Sequence, residues 1–88
     1  MTSDQPEQPE QPDLFETLAR TADAIAQTAE FSAAVHEQLA GHLPEAEEHA
    51  ARDRRFAAAE RAVAAAYRNQ QLPPDEIRQV IRASGRLP

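Results

Sequence analysis

Residues 11–38 divide into four consecutive blocks of seven, QPDLFET, LARTADA, IAQTAEF and SAAVHEQ. Each carries an acid in its sixth place: Glu16, Asp23, Glu30 and Glu37. From the second block onward the second place is alanine, at Ala19, Ala26, Ala33 and, in the next partial block, Ala40. Seven residues are two helical turns, so this period describes one long helix with a constant inward and a constant outward face. Asp13 is the expected N-cap, and Glu16, three residues on, has capping-box spacing. Gly41 is placed to be the residue just past the helix end and Pro44 cannot continue the ladder, which predicts helix 1 over about 13–41.

The apolar residues of this helix recur in steps of three and four. They are Leu14, Leu18, Ala22, Ile25, Ala29, Ser32, Val35, His36, Leu39 and Leu43, and this stripe is the expected core face. The acid row lies more than about 100° round the helix from it, so the acids are expected as the solvated outer face. Neighbouring acids are about 10 Å apart, beyond a Debye length at physiological salt, so their mutual repulsion is mild.

How much such a helix can bury is limited by composition. Leu, Ile, Val and Phe together supply only 15 of 88 residues, whereas alanine supplies 19. Alanine favours the helix locally because it has no side-chain entropy to lose, but it contributes little area to a core. A chain of this length with such small side chains gains from a second copy or a partner that adds burial.

Two further helices are expected. Pro44 suits the first turn of helix 2, over about 44–70, with Glu45, Glu47 and Glu48 near its positive end. Glu48 and Arg52 have the spacing of an i,i+4 pair. Large apolar groups enter helix 2 only from Phe56 onward. An antiparallel return would therefore cover mainly the N-terminal half of helix 1, leaving Val35, Leu39 and Leu43 for helix 3 or for another molecule. Asn69-Gln70-Gln71 is expected to fray before Pro73-Pro74. Helix 3, over about 74–84, places Ile77, Val80 and Ile81 on one face to close the core, with Gly85 after it. The first twelve residues repeat Gln-Pro-Glu with proline every third position and have nothing to bury, so they are expected to be a disordered, extended tail. The fold expected is an all-α three-helix domain over 13–88, with a long helix 1, an antiparallel helix 2 and a short C-terminal helix 3.

The charge is unevenly divided: residues 1–50 hold eleven acids and one arginine, and residues 51–88 hold four acids and eight arginines. All nine basic residues are arginine, which with the alanine excess is the usage of a GC-rich bacterial genome. Arg54, Arg55, Arg61, Arg68, Arg78 and Arg82 are the residues available for phosphate contacts. The segments Ala66-Tyr67-Arg68, Leu72 to Arg78 and Val80 to Gly85 are similar to the first two helices of bacterial helix-turn-helix regulators. That resemblance implies a small DNA-associated regulator, in which the recognition helix would follow Gly85.

Catalytic and metal chemistry find no support. There is no cysteine and there are two glycines, so thiolate sites and a glycine-rich phosphate loop are excluded. His36, His42 and His49 are six and seven residues apart, and a helical metal pair needs three or four. His36 falls within the apolar stripe, where a hydrogen-bonded core histidine is expected. Glu45, His49 and Asp53 have i,i+4,i+8 spacing and are expected as a charged face. No apolar run reaches the roughly 20 residues of a membrane span, and the first residues lack the regions of a signal peptide, so a cytoplasmic protein is expected. The function expected is non-enzymatic, without cofactor: a helical interaction or accessory protein, self-associating as a homodimer through Leu18, Ile25, Phe31, Val35 and Leu39. DNA association is the alternative.

Overall fold

The computed structural model describes residues 13–85; the Pro-Glu-Gln tract 1–12 and Arg86 lie outside them. Three helices occur among the described residues: α1 (Leu14–Leu39), α2 (Ala46–Arg68) and α3 (Asp75–Gly85). No strand occurs among the described residues. Asp13 caps α1, its Oδ1 accepting the Phe15 N–H at 3.0 Å, but Glu16 does not return to complete a capping box and reaches Arg68 instead.

α1 and α2 run antiparallel, because partners on α2 fall in number as those on α1 rise. The Phe15 and Tyr67 rings lie 6.2 Å apart, Arg61 bonds Asp23 and Glu30, and Arg54 bonds Glu37. α3 then folds back onto α2. Its Ile77 and Ile81 pack against the cluster of Ala19, Ala22, Val63 and Ala64. Val80, expected to share that task, remains 38 % exposed, since the contact is a single row of residues four apart.

The seam between α1 and α2 is made of alanine. Ala19, Ala26 and Ala33, the repeated second places of the sevenfold pattern, are each fully buried at 0 % exposure, with Ala22 and Ala29 beside them. α2 answers with Ala50, Ala57 and Ala64, again seven apart. The expected core stripe is therefore displaced. The buried face lies about 100° round α1 from the line of large side chains, and Leu18, Ile25, Val35 and Leu39 are all more than a third exposed. Depth explains the difference. The N-terminal half of α2 offers only alanine at the seam, and small side chains on both helices let their backbones approach closely.

The helix ends also differ from expectation. Gly41 does not take a left-handed φ; α1 ends in a turn where His42 and Leu43 N–H both donate to the Leu39 carbonyl. Helix 2 begins two residues later than Pro44 suggests, with Glu45 at its N-cap and no side-chain cap bond. Asn69-Gln70-Gln71 is ordered. Gln70 has φ 58°, and Gln70 N–H donates to Tyr67 O while Gln71 N–H donates to Ala66 O, the paired bonds of a Schellman motif. That left-handed residue turns the chain toward buried Pro73 and starts α3.

An alanine seam makes a direct prediction. Ala26→Leu places three extra carbons where there is no space and should lower stability by about 1–3 kcal/mol in urea unfolding. The same change at exposed Ala51 should stay within about 0.5 kcal/mol.

Candidate functional site

The two flanks of the seam have different chemistry. On one, the acid row is paired across the helices and is not a free outer face. Arg68 bonds both Glu16 and Asp23, Arg61 bonds both Asp23 and Glu30, and Arg54 makes two bonds of 2.9 and 2.8 Å to Glu37. Arg54, Arg61 and Arg68 are themselves seven apart, so each reaches the acid row, Arg61 and Arg68 bridging two acids and Arg54 holding one. Close approach at the alanine seam brings the guanidinium forks within reach of carboxylates on the neighbouring helix. Hydrogen bonds from Arg68 hold the Asp23 carboxyl below its usual range, those from Arg61 do so for Glu30, and those from Arg54 for Glu37. The signal was present in the chain as a second period of seven, in arginine, matching that in the acids.

On the other flank lie the large apolar side chains. Leu18, Ile25, Val35 and Leu39 follow one another along α1, Leu43 continues the line past its end, and Phe31 stands to one side at 71 % exposure. All five residues expected to make contact are thus at the surface of the folded hairpin. α3 covers the end of the seam near Ala19 and stops at a groove of about 370 Å³, lined by Ile25, Thr28, Ala29, Ser32, Arg52, Asp53, Phe56 and Ser84. The Thr28 hydroxyl donates to the Ala24 carbonyl within α1.

At the polar end of this groove Asp53 Oδ2 accepts from Ser32 Oγ at 2.7 Å and lies 3.1 Å from His36 Nδ1. The His49 ring is stacked 5.3 Å from that of His36. Serine, histidine and aspartate meet here in an order that does not activate the hydroxyl. The carboxylate sits between the other two, and serine donates to it, so the imidazole is not on the serine. Among the described residues no three histidine, aspartate or glutamate side chains are grouped to hold a metal ion. His36 is instead a half-buried residue whose carboxylate partner ties the loop end of α1 to α2.

Among the described residues Glu60 is the one buried acid, 6 % exposed, on α2 beneath α3. Burial pushes its carboxyl above the usual 4.5. The remaining arginines are divided. Arg78 is paired with Asp75 on its own helix. Arg55 and Arg82 make no ion pair among the described residues, and the expected Glu48–Arg52 pair is absent. Among the described residues no helix is long and apolar enough to cross a membrane. Comparison with protein-family models, with curated proteins and with solved structures finds no match to this chain.

Two measurements test the site's electrostatics. Arg61→Ala should lower the melting temperature more at about 10 mM salt, where the Debye length is about 30 Å, than at about 1 M, where it is about 3 Å. Glu60 binds its proton more tightly folded than unfolded, so its charge costs stability as pH rises through and above 4.5. Asp23, Glu30 and Glu37 act in the opposite sense, and their contribution is lost as pH falls below the usual carboxylate values. Glu60→Gln should accordingly melt higher than the parent at pH 7, with the difference shrinking toward pH 4.5.

Proposed function

We propose that this protein is a non-enzymatic helical interaction protein that works by helix–helix association, with the large-residue flank of α1 as its working surface and a second copy as its partner. The observation that carries the reading is the position of Leu18, Ile25, Val35, Leu39 and Leu43. Leu18, Ile25, Val35 and Leu39 follow one side of α1 and Leu43 continues the line beyond its end, each keeping more than a third of its surface exposed. Large side chains left partly exposed along one line have apolar area still available for burial, and apolar surface of that kind marks association sites. The seam alone provides little burial, and a second molecule supplies what the fold lacks.

The arginines do not favour nucleic acid as the partner. Arg54, Arg61 and Arg68 each lie against carboxylates of α1, so phosphate contacts would have to break the pairs that flank the hairpin. Of the six arginines available for phosphate contacts, only Arg55 and Arg82 are exposed and without an ion pair among the described residues, too few for a phosphate-tracking surface.

Leu39→Glu is the test. Leu39 is the last residue of α1 and is 37 % exposed, so helicity by circular dichroism should be retained. Mass by light scattering should fall from dimer to monomer at equal concentration. An unchanged mass with unchanged helicity overturns the reading.

A further inference from the structure

A second cavity, of about 450 Å³, lies between α2 and α3 and shares no residue with the groove at Ile25 and Phe56. Helical spacing builds its walls. Glu60, Val63 and Tyr67, three and four apart, come from one face of α2, and Arg78, Ile81 and Arg82 come from α3. Pro73, buried in the turn that Gln70 directs, closes the end between the two helices. Its volume falls within the roughly 300–1,000 Å³ of small-molecule sites.

Two of its polar groups have no partner. Glu60 is 6 % exposed and makes no hydrogen bond or ion pair among the described residues. Burial alone displaces its carboxyl upward, so neither arginine of the cavity offsets its charge. Buried polar groups in folded proteins are nearly always bonded. The groove at Ile25 follows that rule, since its acid, Asp53, is held by Ser32 and His36. On α3, Arg78 is occupied by Asp75, whereas exposed Arg82 makes no ion pair among the described residues. The cavity therefore combines an unmet acceptor, an unpaired cation and an apolar wall of Val63, Tyr67, Pro73 and Ile81.

Those three properties select a ligand. A purely apolar molecule would strip water from the Glu60 carboxyl and leave it unbonded, which is costly. A simple cation would meet Glu60 but would also face two arginines. A plain anion would satisfy Arg82 and give Glu60 nothing. We propose that this cavity binds a small hydroxylated aromatic acid, its hydroxyl donating to Glu60, its carboxylate on Arg82 and its ring against Tyr67 and Pro73. A bound acid bridges α2 and α3, so it also stabilises the docking of α3. The proposal is independent of the α1 flank and of what covers it.

The test titrates the full nitrogen-15-labelled chain by NMR at neutral pH and constant ionic strength. The probes are 4-hydroxyphenylacetate, phenylacetate, which lacks the donor, and 4-hydroxyphenylethanol, which lacks the anion. Saturable shifts should appear at the amides of Glu60, Val63, Tyr67, Ile81 and Arg82, with 4-hydroxyphenylacetate dissociating at roughly 1 mM. Phenylacetate should bind about tenfold more weakly, and 4-hydroxyphenylethanol about threefold more weakly. Glu60→Leu should erase the advantage of the hydroxyl, so that the two acids bind alike. Arg82→Ala should erase the advantage of the carboxylate, so that the two phenols bind alike. Circular dichroism checks the fold of each variant, and exposed Arg82 decides the test by itself if Glu60→Leu unfolds. Loss of each preference in its own variant establishes the site. Absence of saturable shifts at these amides overturns it, as does a parent that does not distinguish the probes or a folded variant that keeps the parental preference. None of these outcomes alters the mass measurement that tests the α1 flank.

Discussion

Close approach of α1 and α2 along an alanine seam is the contact on which the rest of this structure depends. Ala19, Ala26 and Ala33 face Ala50, Ala57 and Ala64 with essentially no exposed surface. At that separation side chains flanking the seam reach across it. The arginines of α2 then fall onto the acids of α1, and Asp53 falls onto Ser32 and His36. The polar ladder follows from the small core and does not replace it, since partly exposed ion pairs add only modest stability in water.

The same closeness expels the large apolar residues. Burying little area per residue, the seam leaves Leu18, Ile25, Val35 and Leu39 along its rim, where α3 shelters only one end. The hairpin selects its register through alanine and charge, and leaves these larger side chains partly exposed. Glu60 fits this picture as an α2 residue placed where α3 lands, its carboxyl displaced upward by burial.

Much of this was legible in the chain and some was misread for identifiable reasons. The three helices, the Asp13 cap and the excess of apolar surface at Val35, Leu39 and Leu43 follow from periodicity, capping chemistry and the lack of large residues in helix 2 before Phe56. The core face was assigned to the larger side chains because hydrophobic transfer scales with area. Contact between two helices is instead governed by how closely their backbones can approach, and alanine wins that competition. The acids were placed outside by the same error, since their angle was measured from the wrong stripe. Gln70 in the left-handed region was not foreseeable, because a glutamine there is held by its neighbours' hydrogen bonds and has no local preference for it.

By itself the sequence determined that there are helices, roughly where they begin and end, and that two periods of seven, acids in the first half and arginines in the second, have equal step. Those properties are local: they come from backbone propensity, proline and helical spacing. Which face is inside, and whether acids and arginines meet within one chain, only the tertiary structure decided. The physical reason is that equal spacing permits pairing without requiring it. Pairing needs the two helices side by side, antiparallel and close, and that closeness comes from alanines on both helices meeting across the seam.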